Sequence, residues 1–519
     1  MDAEGTDATQ GLPQEQWTRL SKTQKTLESR LENLKAKRQH VYAEMNDLLL
    51  ICRLPNNILS RIFIIAYKHH ILPYTAVRLS HVCRSWRAAA IATPALWSSM
   101  LPHNTSLAKM CLARAGDLPL RLYLPDTNFK QYWKDGIILS FVAHVASRLA
   151  EIDLTLHPAD LNTLSVFMTF HEGWEHLESL SLSVPEDLCI SHELMIDFRP
   201  TPPKLRKLSF NGIIPMVRAS GVFSNVRILE LSMLEDLLED LPPMEDFLAA
   251  LQNFVGLEEL RIYMGAFRPL EKGTKEYPKH DMLVHLDHLR YGELIFMEPI
   301  NHAYLLAHLA IPATTHIYQE MYGGHPNGLL RCYPRDQSNL HFLHSMSKIR
   351  LTNGAVHGYH QDHIDTADAC LSVLFNEEFS DKSARLSILN LRSAFKLSPV
   401  IELQIEIALS ELRLVTAADW NKALSYFTSL RTLRYKHSGP LEDLPEYITP
   451  LFEALTVSIP GQLPVPTLCT LELANMLQSS LDTLDDRIRR CDDSRGATPG
   501  VGQMLPFEVV VNGNVWAAV

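Results

Sequence analysis

From Leu20 onward an apolar residue returns at every seventh position, as Leu20, Leu27, Leu34, Val41 and Leu48. A second series falls four residues after each of these and reads Gln24, Leu31, Arg38, Met45 and Cys52. Together they form the two seam positions of a helix about five heptads long, over residues 17–52, with polar breaks at Gln24 and Arg38. Its other faces carry Lys, Arg and Glu, as suits contact with water. Two readings stand open. Either the helix lies along the domain that follows, or it pairs with a second copy of the chain as a coiled-coil homodimer. In the second case the polar seam positions weaken the pair and fix its register. Residues 1–16 are polar and acidic and predict a disordered tail.

Leu54-Pro55 ends that helix, because proline disfavours helical geometry in the residue before it and suits the first turn of a new helix. Asn56 to Tyr67 then puts Ile58, Ile62 and Phe63 on one face. After a loop at 71–74, Leu79, Val82 and Cys83 form a short apolar stripe. Trp86, Ala89 and Ala90 continue at helical spacing until Pro94, and Leu96 and Trp97 follow at once. This predicts three short helices over 53–100. They carry more apolar groups than so small a unit can hide, and a contiguous apolar patch of that kind marks an interface.

Beyond residue 100 the period changes. A phrase of the form apolar-x-x-apolar-x-apolar begins at 149, 177, 205, 226, 257 and 286, at intervals of 21 to 31 residues. It returns less regularly as MSKIRL (346–351), LSILNL (386–391), LRTLRY (430–435) and LCTLEL (468–473), with a weaker copy in PATTHI (312–317). Helical segments such as MEDFLAALQNF (244–254) and AADWNKALSYF (417–427) fall between the phrases. A strand and then a helix, repeated, predicts an α/β leucine-rich-repeat solenoid over 101–519, since each unit buries its apolar face only by stacking on the next. The Asn or Cys of a regular repeat is missing three residues after each phrase, where His157, Pro185, Ile213 and Gly265 stand instead. The repeats are therefore degenerate. A helix over 476–490 and a strand near LPFEVVV are expected to close the array.

Composition narrows the function classes. A formal net charge of −11 over 519 residues argues against a general nucleic-acid or membrane-surface binder. The N-terminus lacks the basic and apolar regions of a secretory signal, and no apolar run approaches a membrane span. The eight cysteines are scattered with no CxxC among them, which fits reduced thiols in the cytoplasm or nucleus. Phosphate-binding glycine loops, nucleophile elbows and zinc-protease motifs are absent from the sequence. The one cluster of metal-ligand types is His357, His360 and His363 beside Asp362 and Asp365, read here as a polar loop. No catalytic residue, metal site or cofactor is assigned.

The phrases LPNNILSRIF and LSHVCRSWRAAAIATPALW together resemble an F-box. The family pattern is Leu-Pro, an apolar helix ending in Ile-Phe, then Val-Cys-x-x-Trp, a small-residue helix, Pro, and Leu-Trp. Asn57 departs from it, where the family usually has Glu. A heptad helix before such a segment and degenerate repeats after it resemble large fungal families of F-box proteins. The fold class implied is multidomain: an all-α N-terminal part, made of a long helix and a three-helix F-box, followed by an α/β solenoid. The resemblance implies the substrate-recognition subunit of an SCF-type (Skp–cullin–F-box) ubiquitin ligase, with the Skp adaptor and through it cullin as partners. Leu54, Pro55, Ile58, Ile62, Val82, Cys83, Trp86, Leu96 and Trp97 are the candidate adaptor-binding residues, some of which also hold the fold. The alternatives are a non-catalytic interaction scaffold outside the ligase and, more remotely, a metal-dependent enzyme using the histidine cluster.

In a solenoid strand the residue between the last two apolar positions points away from the core. That column reads Asp153, Ser181, Ser209, Glu230, Arg261, Arg290, His316, Arg350, Asn390, Arg434 and Glu472. Arg392 and Lys436 lie one position further out. The later part predicts a basic stripe of Arg261, Arg290, Arg350, Arg392, Arg434 and Lys436. Such a stripe would take an acidic or phosphorylated target segment, because guanidinium groups bind carboxylate and phosphate bidentately.

Overall fold

The computed structural model describes residues 14–69, 74–101, 104–124, 137–170, 173–185, 193–196, 202–217, 223–233, 241–271, 274, 276–278, 281–296, 298–321, 332–360, 369–375, 381–438, 445–456, 465–496 and 507–515. They divide into two compact units, one within Met1–Tyr123 and one within Leu124–Val519. The expected tail lies outside the described residues up to position 13, and the expected loop does so at 71–73. Among the described residues no helix is long and apolar enough to cross a membrane.

The first unit opens with α1 (Gln14–Leu48). Its seam residues Leu20, Leu27, Leu31, Leu34, Val41, Met45 and Leu48 are 51 to 71% exposed. The helix therefore does not lie along the short helices of its own unit, which is the correction to the first of its two readings. Trp17 continues the Gln24 series one heptad earlier and is equally uncovered. A 3₁₀ turn, Leu50–Arg53, follows, and Pro55 starts α2 (Asn56–His69) by accepting the Ile58 and Leu59 N–H groups. Next come α3 (Tyr74–Ser80) and α4 (Arg84–Ile91). The Sγ of Cys83 caps α4 by accepting the Trp86 N–H at 3.4 Å. Pro94 opens a 3₁₀ turn to Trp97, where the missing proline N–H costs nothing. The unit ends with β1 (Ser99–Met100), α5 (Thr105–Ala115) and β2 (Leu120–Leu124), with β1 and β2 parallel.

The second unit is a long, mostly parallel α/β sheet of solenoid type. Its strands are β3 (Leu149–Thr155), β4 (Ser179–Ser183), β5 (Lys207–Asn211), β6 (Ile228–Ser232), β7 (Glu259–Tyr263), β8 (Tyr291–Phe296) and β9 (His316–Met321). Each pairs in parallel with the next. There follow β10 (Met346–Thr352), β11 (Ala355–His360), β12 (Leu371–Phe375), β13 (Glu402–Glu406), β14 (Thr432–Lys436), β15 (Thr470–Ala474), β16 (Glu508–Val511) and β17 (Asn514–Val515). Leu180, Leu182, Leu208, Phe210, Leu229 and Leu231 alternate with half-exposed neighbours and are buried, as the six-residue phrase requires. Each such leucine leaving water stabilises the stack by about 2 kcal/mol. The closing helix is found at Gln478–Gly496 and the closing strand at β16.

Three expectations need correction. LSILNL lies in a helix, Asp381–Ala394, where Ala384, Ile388, Leu391 and Ala394 are buried at helical spacing. A six-residue phrase is too short to separate the two periods. The strands there are β12 and β13, which no phrase marked. The phrase LDHLRY is out of register: the strand begins at its last residue, and Gly292 pairs with Leu260. Gly292 occupies a leucine's place, and a Cβ there would stand 2.7 Å from Ile317 Cδ1. Finally, β10, β11 and β12 form an antiparallel meander inside the parallel array. β12 pairs with β9, and β10 pairs with β13.

Candidate functional site

The nine apolar residues of the first unit separate into two groups. Leu96 and Trp97 are wholly buried. The Trp97 indole N–H donates to Ala90 O at 2.8 Å, and the Arg114 guanidinium lies 4.3 Å above its ring. Both belong to the core, with Leu59, Phe63 and Ala89, so as surface candidates they are corrected. Trp86 packs its ring 4.9 Å from Phe63 and stays half-exposed. Pro55, Ile58, Ile62 and Val82 are exposed, Val82 at 54%, while Leu54 and Cys83 are half-buried. The Sγ atoms of Cys52 and Cys83 stand 3.9 Å apart, which brings the 3₁₀ turn before Leu54 beside the start of α4. Leu50 and Ile51 in that turn are also exposed. Sequence reasoning passed over them because they fall between the heptad seam and the Leu-Pro phrase.

On the second unit, register fixes the outward column. It runs Asp153, Ser181, Ser209, Glu230, Arg261, Glu293 and Tyr318 across β3 to β9. It continues through Ser372, His357, Arg350, Gln404, Arg434 and Glu472. Glu293 and Tyr318 stand where Arg290 and His316 were expected, three and two residues along. Gln404 replaces Asn390. Arg392 is on the helix Asp381–Ala394, its guanidinium 3.6 Å over the Tyr426 ring, and leaves the stripe altogether.

The cations that remain do not make a basic stripe. Glu230 takes Lys207 at 2.8 Å and Arg261 at 3.0 Å. Glu402 takes Lys348 at 3.0 Å and Arg434 at 3.2 Å. Glu406 takes Arg350 at 2.5 Å and Lys436 at 3.1 Å, and Glu472 takes Arg434 at 2.6 Å. Burial works to raise the Glu406 carboxyl, yet the hydrogen bonds and charges of Arg350 and Lys436 outweigh it and hold the group below its ordinary value. Around these pairs the strand face is a ladder of cations and acids.

Arg290 is different. It lies just before β8, is exposed, and among the described residues makes no ion pair. With His316, Tyr318 and Ser372 it lines a pocket of about 350 Å³ where β9 meets β12. Of the histidine cluster, His357 and His360 are described. The Nδ1 of His357 lies 3.1 Å from Ser372 Oγ and that of His360 lies 3.2 Å from Ser345 O, both from β11, while His363, Asp362 and Asp365 lie outside the described residues. The loop reading of the first two is corrected by that strand. Among the described residues no group of three metal-ligand side chains is disposed to hold an ion.

Residues 51–103 match the family described as F-box-like. No curated protein matches the chain. The match spans the exposed apolar helices and β1 and stops just before α5. A domain of this class implies binding to a Skp adaptor, and F-box adaptor proteins are typically non-catalytic.

Proposed function

We propose that this chain is the substrate-recognition subunit of an SCF-type ubiquitin ligase, acting in the cytoplasm or nucleus. Leu54, Pro55, Ile58, Ile62, Val82, Cys83 and Trp86 dock on the Skp adaptor. The degenerate leucine-rich-repeat sheet holds the target. The observation that carries this reading is the apolar helical face left uncovered within the F-box-like segment. Such a receptor needs no bond chemistry of its own. It raises the local concentration of target beside the ligase.

For the target, the reading favours an acidic or phosphorylated segment anchored at Arg290, with Arg261, Arg350, Arg434 and Lys436 as secondary contacts. The Arg261 and Arg434 pairs are half-exposed and contribute little each, about 0–1 kcal/mol, so an incoming carboxylate or phosphate can exchange into that part of the ladder, whereas the Glu406 pairs are more buried. The exposed seam of α1 takes a second copy of the chain.

The test is co-purification of the tagged full chain with its partners. Adaptor and cullin are expected to be retained together. Arg290→Glu is expected to lose ubiquitin transfer onto captured target while keeping both. Retention of neither partner by the unaltered chain would end the receptor reading. Target transfer indifferent to Arg290→Glu would end the anchor.

A further inference from the structure

Cys52 and Cys83 are far apart in sequence and adjacent in space. Cys52 sits in the 3₁₀ turn Leu50–Arg53, and Cys83 caps α4. Both are half-buried, and their sulfurs lie 3.9 Å apart. The remaining gap to a disulfide is about 2 Å, within the reach of two short side chains rotating toward each other. Among the other described thiols, Cys469 is half-buried and donates to Thr467 O at 3.3 Å. Cys111, Cys332, Cys370 and Cys491 are buried, and burial pushes those of Cys111 and Cys491 up to about 11, away from the thiolate that reacts.

We propose that Cys52 and Cys83 are a reversible oxidative modification site, closing to an intramolecular disulfide when a peroxide is present. One thiolate attacks the peroxide O–O bond, takes up oxygen as a sulfenic acid and releases one water with a proton from solvent. The second thiol attacks that sulfur, forms the S–S bond and releases the other water. Two thiols give up two electrons, and the O–O bond accepts them. A dithiol reductant reverses the step by exchange, as in the reducing cytosol.

The bridge has a consequence for docking, and this part rests on the proposed function. Cys83 adjoins Val82, and Cys52 lies two residues before Leu54-Pro55. Closing the bridge draws the Cys83 sulfur from the Trp86 N–H and so removes the cap of α4. The apolar face then departs from the shape that meets the adaptor. Loss of one well-packed contact of that kind weakens binding by about ten-fold.

The experiment takes the reduced full chain, treats it with hydrogen peroxide and maps its peptides without reduction. A linked pair containing Cys52 and Cys83, two hydrogens lighter than the sum of its parts and released by dithiothreitol, is expected. The linked protein should melt at a higher temperature, because the closed loop restricts the unfolded chain. Cys52→Ser should form no link and show no peroxide-dependent melting shift. Sulfinic acid at either cysteine without the link would overturn the proposal, as would a bridge between two chains. The adaptor is then titrated into the reduced and oxidised forms. Equal affinity would overturn the docking consequence alone. A reduced protein that ignores the adaptor would overturn the proposed function and leave the bridge standing.

Discussion

Val82 and Trp97 belong to one apolar phrase, yet the first is more than half exposed and the second is sealed in the core. A buried indole with its N–H paired to a backbone carbonyl is a fold determinant. Trp97→Ala is expected to destabilise the first unit by about 3–5 kcal/mol in chemical denaturation, through lost burial and the cavity left behind. An undiminished midpoint would contradict the core assignment. In the second unit, Glu406 sets a pH dependence. Its carboxyl sits below the ordinary range in the folded protein, so the folded state binds that proton less tightly than the unfolded chain does. The stabilisation is complete above the unfolded value of about 4.3 and is lost as pH falls through the lower folded value. Glu406→Gln should therefore flatten the acid limb of the stability–pH curve, read by denaturation midpoints at several pH values. A limb that kept its slope would show that the Arg350 and Lys436 pairs are not linked to folding.

At the scale of elements, most of the solenoid was legible because its leucines alternate over several separate copies. The failures have particular causes. Gly292 stands in a leucine's place beside Ile317, and Gln319 fills a core position in β9, held by Tyr333 at 2.7 Å and His302 at 3.1 Å. Neither looks apolar, so both hid their strand. The meander of β10 to β12 was invisible for another reason: alternation reads the same in both chain directions, so a reversed strand leaves no mark on it. The neutralised strand face was equally hidden, since a column read alone does not show the acids on the strands beside it. The heptads, by contrast, named a helix correctly, and only its partner was undecided. With the seam uncovered, the full chain should sediment as a dimer at micromolar concentration. Leu27→Glu combined with Leu34→Glu should yield a monomer, because charge in the seam cannot be buried unpaired. A monomeric unaltered chain would remove the second copy.

At the scale of the whole molecule, the two proposed functions fall on separate units. The F-box-like segment offers apolar contact, and the long sheet offers charge and polarity. Such separation suits a receptor, in which one surface stays constant for the ligase and the other is shaped for the target. Nothing in that arrangement requires a reaction at either surface. The most direct measurement is a calorimetric titration of purified Skp adaptor into the full chain and into Val82→Asp. The unaltered chain should bind, and the variant should lose about 30-fold or more in affinity, as for a central interface contact, with its melting temperature unchanged. Absence of binding to the unaltered chain, or equal binding by the variant, would contradict the account.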